Sequence, residues 1–312
     1  MTRYLKILLF AVLIAVVAVI FLDIFWHNPQ AEGFFVITRG DNVLQIASNL
    51  KSQGYIGSRL IFIGDAVSSG NFRKMKAGRY EISKGSTSQD LIEKFTKFQS
   101  ASINILIVPG KTTNDIARIL AQGRLVKKDE FLDLVLRDKL EGYLFPDNYL
   151  IDPGATAQDI IKQILDNFDK KLTDDLKQAI EQQHRTVADV ITMASILEKE
   201  VKTYHDKQMV AGILWKRAEN NLPLQVDSTL LYFLTSAHPN LIDKSVESPY
   251  NTYKYAGLPV GPICSPGIES IRAAIYLINS DYWFYLSTPD GETIFAETLG
   301  QHLINKAKYL TN

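Results

Sequence analysis

From Ile7 to Leu22 every position is apolar, and with Leu5 and Ile24-Phe25-Trp26 around it the run reaches the roughly 20 residues that a bilayer core demands. A cleaved signal peptide carries a shorter apolar stretch of about 7–15 residues and ends in a small-x-small site, which is missing after Leu22. The pattern therefore predicts an uncleaved transmembrane anchor over 7–26. Arg3 and Lys6 precede it, Asp23 and Glu32 follow it, and no Lys or Arg appears before Arg39. By the positive-inside rule, residues 1–6 lie in the cytoplasm and the chain beyond Trp26 lies outside.

Past the anchor a local pattern recurs. "VITRGDNVLQIASNL" (36–50), "EISKGSTSQDLIEKF" (81–95), "LIVPGKTTNDIARIL" (106–120) and "LIDPGATAQDIIKQI" (150–164) each set a short extended run before a Gly, with apolar residues six, seven and ten positions after it. This reads as a strand, a turn that Gly permits, a polar residue able to cap a helix, and an amphipathic helix. The irregular spacing excludes a solenoid. Strand Phe34 to Ile37, helices Asn42 to Gln53 and Ser58 to Ser68, and a strand from Ala77 give a β-α-α-β unit over 33–100. Its "RGDNVLQIA" opening resembles the LysM domain, a small peptidoglycan-binding module. A polar link, "KFQSAS", leads into a second domain over 103–312 with a helical middle, a hairpin turning at Pro289-Asp290-Gly291 and a last helix from Leu299 to Leu310. The fold class expected is α+β: an N-terminal transmembrane helix, a small LysM-like unit and a mixed α+β domain.

The helix expected over 187–202 raises a specific question. At roughly 100° per residue, Val187, Val190, Ile191, Ala194, Leu197 and Val201 fall within about 60° of one line. Glu198 lands at about 40°, inside that stripe, and Glu200 at about 120°, where a solvated glutamate belongs. A carboxylate held among apolar groups resists ionisation, which is what a general acid needs. Glu198 can instead pair with Lys202 at i+4 or cap a neighbouring element.

Composition narrows the chemistry. Lys plus Arg and Asp plus Glu number 34 each, so no global field favours nucleic acid. The five histidines form no HExxH pair or Cys/His zinc spacing, and no metal or cofactor is expected. Cys264 is the only cysteine, which excludes an internal disulfide. Neither a GxSxG elbow, a Walker loop nor a GxGxxG after a strand is present.

Two further stretches carry polar groups suited to a cleft. "LQVDSTLLYF" (224–233) offers Asp227 or Ser228 as a helix cap and leaves Gln225 and Asp227 at the mouth of that helix. "ESPYNTYKYAGLPVGPICSPG" (247–267) strings Tyr250, Tyr253 and Tyr255 with Asn251 and Thr252 ahead of a Pro- and Gly-punctuated loop. Tyrosine presents a ring face and a hydroxyl, which suits sugar; the same rings can equally pack the loop onto the body.

"EGYLFPDNY" (141–149), "ASILEKE" (194–200), "LQVDST" (224–229), "YNTY" (250–253), "GLPVGPI" with "SPG" (257–267) and "FAETLGQH" (295–302) occur in an order that resembles the endolytic murein transglycosylase family, the MltG or YceG-like proteins. The chain departs from the family pattern at Asn148, Ser228 and Gln301 and in "VPGK" (108–111). The resemblance implies a membrane-anchored lyase of the inner (cytoplasmic) membrane, its catalytic domain extracytoplasmic. Such an enzyme cuts the MurNAc-GlcNAc bond of nascent peptidoglycan internally, leaves 1,6-anhydro-MurNAc ends and works beside the peptidoglycan synthases. It implies Glu198 as the catalytic acid and Gln225, Asp227, Glu247, Tyr250, Asn251 and Thr252 as substrate-binding residues. Two alternatives stand beside it: a water-using muramidase with Asp227 as second carboxylate, and a non-catalytic wall-binding scaffold.

Overall fold

The structure, a computed structural model, describes residue 10 and residues 31–97, 102–152, 154–234 and 244–310. The anchor expected over 7–26 lies outside them apart from Phe10, and no helix among the described residues is long and apolar enough to cross a membrane. The chain is mixed α+β and divides into two compact units. The first comprises residues up to 104 with 123–125 and 150–156, and the second holds 105–122, 126–149 and 157–312.

The first unit runs β1 (Gly33–Ile37), α1 (Val43–Ser52), α2 (Arg59–Ser68), β2 (Gly78–Ile82) and α3 (Ser88–Lys97). β1 and β2 pair antiparallel, with Phe35 opposite Tyr80 and Ile37 opposite Gly78. Alternation sends Phe35, Ile37, Tyr80 and Ile82 inward, where they meet Leu50, Phe62 and Phe95. Phe95 stacks on Phe35 at 5.7 Å and meets Tyr80 edge-on at 4.8 Å. The start of α1 is set by a capping box. Asn42 Oδ1 accepts from the Gln45 amide at 3.1 Å, and Gln45 Oε1 accepts from the Asn42 amide at 2.8 Å.

The remaining elements are β3 (Ile103–Leu106), α4 (Thr113–Gln122), α5 (Lys128–Arg137), β4 (Asn148–Ile151), α6 (Ala157–Lys171), α7 (Asp174–Gln182), α8 (Val187–Glu200), α9 (Tyr204–Glu219), α10 (Asp227–Leu234), α11 (Ile268–Ile275), β5 (Phe284–Ser287), β6 (Thr293–Ala296) and α12 (Leu299–Tyr309). β3 pairs with β4, and the boundary between units falls within both strands. In the second unit α8 is the central helix. Every residue from Val190 to Leu197 is buried, and α7, α9, α10 and α11 pack around it. A helix enclosed on all sides has no solvent face for a periodic stripe to define.

Helix α9 crosses close to the segment after α11. A Cβ on Gly212 would lie 2.1 Å from the Ile278 carbonyl oxygen, a backbone atom that cannot swing aside. Gly212→Ala is therefore expected to destabilise the protein by about 1–3 kcal/mol through overpacking, read as a lower midpoint in denaturant unfolding with an unchanged slope. The hairpin β5–β6 pairs Phe284 with Ala296 and Ser287 with Thr293, and Gly291 in its turn has φ +88°.

Candidate functional site

Helix α8 ends where Val201 turns extended, and the hairpin holds that end. The Tyr285 hydroxyl donates to Glu200 Oε2 at 3.1 Å, and Ser287 Oγ donates to the Glu200 carbonyl at 3.3 Å. Burial raises the pKa of Glu200 above the usual carboxylate range, with the Asp227 charge adding to the rise and Ser228 and Tyr285 opposing it. Glu200 faces a cleft of about 320 Å³ whose walls include Gln225, Asp227, Tyr253, Arg217 and His302.

Each wall residue is positioned by local structure. Asp227 opens α10, and its Oδ1 accepts from the Tyr253 hydroxyl at 2.5 Å. Burial, and then the Asp227 carboxylate, push the Tyr253 hydroxyl upward. Gln225 adopts φ +58°, a left-handed conformation rare for a side chain of its size, and its amide donates to the Thr252 carbonyl at 2.9 Å. That turn brings Gln225 Oε1 within 2.8 Å of Arg217 Nη2. His302 stacks on Phe284 at 5.2 Å, and its pKa is lowered, first by burial and then by the charges of Lys306 and Arg217.

Of the two glutamates of "LEKE", Glu198 lies inward as periodicity places it, its side chain 13% exposed, whereas Glu200 does not lie in solvent. Glu198 is outside the cleft wall, and both of its oxygens are engaged. Its Oε2 accepts from the Gly267 amide at 2.9 Å and from Ser270 Oγ at 2.6 Å; its Oε1 lies 3.5 Å from Lys207 Nζ. Gly267 is the N-cap of α11 and has no side chain of its own to cap with, so Glu198 supplies both the acceptor and the negative charge that a helix start favours. The capping role is thus the one observed. Glu200, expected in solvent, is the carboxylate at the cleft, because α10 and the hairpin cover the side of α8 that periodicity leaves open.

The other residues separate similarly. Gln225 and Asp227 line the cleft. Thr252 is 1% exposed, and its Oγ1 accepts from the Val226 amide at 3.1 Å. Asn251 is also 1% exposed; its Nδ2 donates to the carbonyls of Lys244 and Val246 at 3.0 and 2.8 Å, and its Oδ1 accepts from the Tyr253 amide at 3.0 Å. These two shape the loop from within and present no polar atom to the cleft. Asn251→Ala should cost about 2–3 kcal/mol by stranding buried backbone groups. It should also release Tyr253 from its place in the cleft wall, and the destabilisation is measurable as a lower melting temperature.

Tyr250 packs on Tyr232 at 5.0 Å. Glu247 binds Lys254 and accepts from the Tyr255 hydroxyl at 2.6 Å, bonds that lower its pKa, and it borders a separate hollow with Ser248, Pro249 and Tyr255. Neither lines the cleft wall. Glu141 is a further buried carboxylate that sequence reasoning did not single out, its pKa raised by burial. It accepts from the Thr113 amide and hydroxyl and from the Tyr232 hydroxyl, which makes it a brace between α4 and α10. Among the described residues no group of His, Cys, Asp and Glu is arranged to hold a metal ion.

Fold and cleft together define an α+β protein whose second unit carries a buried acid at the end of its central helix, facing a tyrosine- and amide-lined groove. The YceG-like family model matches residues 35–308, and the chain belongs to that family. It is 30% identical to the endolytic murein transglycosylase of Bacillus subtilis (strain 168) over 88% of this chain and 84% of that protein. It is 28% identical to the endolytic murein transglycosylase of Streptococcus pneumoniae serotype 2 (strain D39), again over 88% of this chain but spanning 58% of the relative. A crystal structure of a YceG-like protein from Listeria monocytogenes superposes with a TM-score of 0.59 at 28% identity, covering 89% of this chain and all of that one.

Proposed function

We propose that this chain is an endolytic murein transglycosylase, a lyase acting on the glycan of peptidoglycan, and that Glu200 rather than Glu198 is its acid and base. The observation that carries this reading is the Glu200 carboxylate, kept toward its neutral form by burial while it faces the cleft. Protonated Glu200 donates to the oxygen bridging MurNAc C1 to GlcNAc, and that C1–O bond breaks. As C1 gains oxocarbenium character, the carboxylate so formed takes the proton from the muramoyl C6 hydroxyl, and the C6 oxygen bonds to C1. The products are a GlcNAc end and a 1,6-anhydro-MurNAc end. No water enters, and Glu200 finishes protonated, so one carboxylate suffices.

Gln225 and the hydroxyl of Tyr253 would orient the sugars, and Tyr285 would fix the Glu200 carboxyl group. Mass analysis of digested glycan tests the reaction. Anhydro ends are expected; reducing ends would instead make Asp227 the base of a hydrolase.

Residues 7–26 would anchor the enzyme in the cytoplasmic membrane with residues 1–6 inside, and the LysM-like unit would rest against glycan outside. A tether of this kind raises the local concentration of the cleft near newly made strands and the synthases that make them. Protease accessibility in intact and opened spheroplasts tests the orientation, and cytoplasmic exposure of the second unit would overturn it.

A further inference from the structure

The cleft holds positive charge that the protein itself does not neutralise. Arg217 is half-buried, which pulls its pKa down, yet no carboxylate meets it among the described residues. Its Nε and Nη2 donate to the Pro223 carbonyl at 3.0 and 2.8 Å, Nη2 also donates to Gln225 Oε1 at 2.8 Å, and Nη1 donates to the Trp283 carbonyl at 3.2 Å. A guanidinium has five N–H donors, and this arrangement leaves one Nη1 hydrogen uncommitted. The side chain of Lys306, on α12 and also in the cleft wall, makes no hydrogen bond or ion pair among the described residues. Lys199 spends one donor on the Gly110 carbonyl at 3.2 Å.

The acids do not balance these three. Asp227 already accepts from Tyr253 and lies 3.8 Å from Lys244 Nζ, which is outside the cleft wall. Burial works against charge on Glu200. The positive field also reaches a fourth group, since Lys306 and Arg217 both disfavour the charged form of His302. Lys199 and Lys306 are exposed and Arg217 is half-buried, so their charge is open to whatever enters the cleft, and neutral sugar rings offer it only hydroxyls.

We infer that the wall formed by Lys199, Arg217 and Lys306 is a carboxylate subsite, which takes an acid group of the substrate. Murein supplies one on the lactyl ether of the muramoyl sugar, or on the peptide joined there, whereas a glycan of GlcNAc alone supplies none. This deepens the reading of the cleft as the glycan site and rests on it. An ammonium or guanidinium bonded to a carboxylate in such a cleft is a charge-assisted contact, stronger than one to a neutral carboxamide.

The test uses the full chain and three preparations: peptide-free glycan with free lactyl carboxylates, the same glycan with those groups converted to carboxamides, and peptide-bearing glycan. Cleavage is read as kcat/KM, and binding of uncut strands is read separately with Glu200→Gln, so that an error in the cleavage mechanism leaves the binding result interpretable. The wild type is expected to favour carboxylate over carboxamide glycan by roughly tenfold, mainly in KM, and the preference should shrink as salt rises. Lys306→Gln should bring that ratio close to one. If the acid lies on the peptide, peptide-bearing strands are preferred instead, and the same substitution removes that preference. A wild-type ratio near one with both carboxylate sources, or a preference unchanged in both Lys306→Gln and Lys199→Gln, overturns the subsite. Failure of every strand to be cut, with the binding preference intact, would overturn the proposed reaction and not the subsite.

Discussion

Glu200→Gln is expected to lower glycan cleavage by about 10²–10⁴-fold, the range that a positioned acid and base contributes, while the folded protein still binds strands. Gln keeps the volume and can still accept from Tyr285, but it has no proton to give. The same substitution should raise stability. Burial lifts the Glu200 pKa in the folded protein above its unfolded value, so between those two values the native state holds a proton that the unfolded chain has lost. Stability drawn from this group is therefore full below the unfolded value of about 4.3 and declines as pH rises through the folded value. Removing the carboxyl removes that decline. At alkaline pH the variant should be more stable than the wild type, and near pH 3 the two should match. Denaturant unfolding at both pH values, alongside glycan digestion, reads the two effects. Undiminished cleavage by Glu200→Gln would remove Glu200 from the chemistry.

Glu198→Ala should do the reverse, costing stability and sparing the chemistry. It would leave the Lys207 charge, 6% exposed at the side chain, without its carboxylate, and the Gly267 amide and Ser270 hydroxyl without an acceptor. Breaking one side of a buried ion pair costs about 3–5 kcal/mol, which for a unit of this size lowers the melting temperature by roughly 10 °C. Below that temperature the folded fraction should still release anhydro ends at a rate within about tenfold of the wild type, against the larger loss expected for Glu200→Gln. A Glu198→Ala protein that melts like the wild type but has lost all cleavage would return the acid role to Glu198. Adding Lys207→Met should recover part of the lost stability, because the stranded charge is then gone.

What the sequence made legible was local. Gly40, Gly85 and Gly110 have φ of +98°, +81° and +81°, and each follows a strand and precedes a helix, because a residue without Cβ accepts that turn at no steric cost. The Asn42 capping box and the hairpin turning at Gly291 are equally short-range. The placement of Glu200 was not legible. Periodicity assigns faces by supposing that one side of a helix meets water, and α8 is enclosed by neighbours from distant parts of the sequence. The hydroxyl on Glu200 comes from Tyr285, 85 positions away, and the groups on Glu198 come from 69 and 72 positions away. "YNTY" stood out as a motif, yet its Asn251 and Thr252 turned inward, because a loop this polar must satisfy its own buried backbone before it can offer groups to a ligand.

Glu198 joins α8, α9 and α11 at one point, two residues before the acid. Its grip means that the backbone carrying Glu200 is set before any strand arrives, with the hairpin fastening the other side. Little ordering remains to be done when the proton moves, so the first turnover should begin without a lag and the barrier should reflect bond-breaking at C1 rather than assembly of the reacting group.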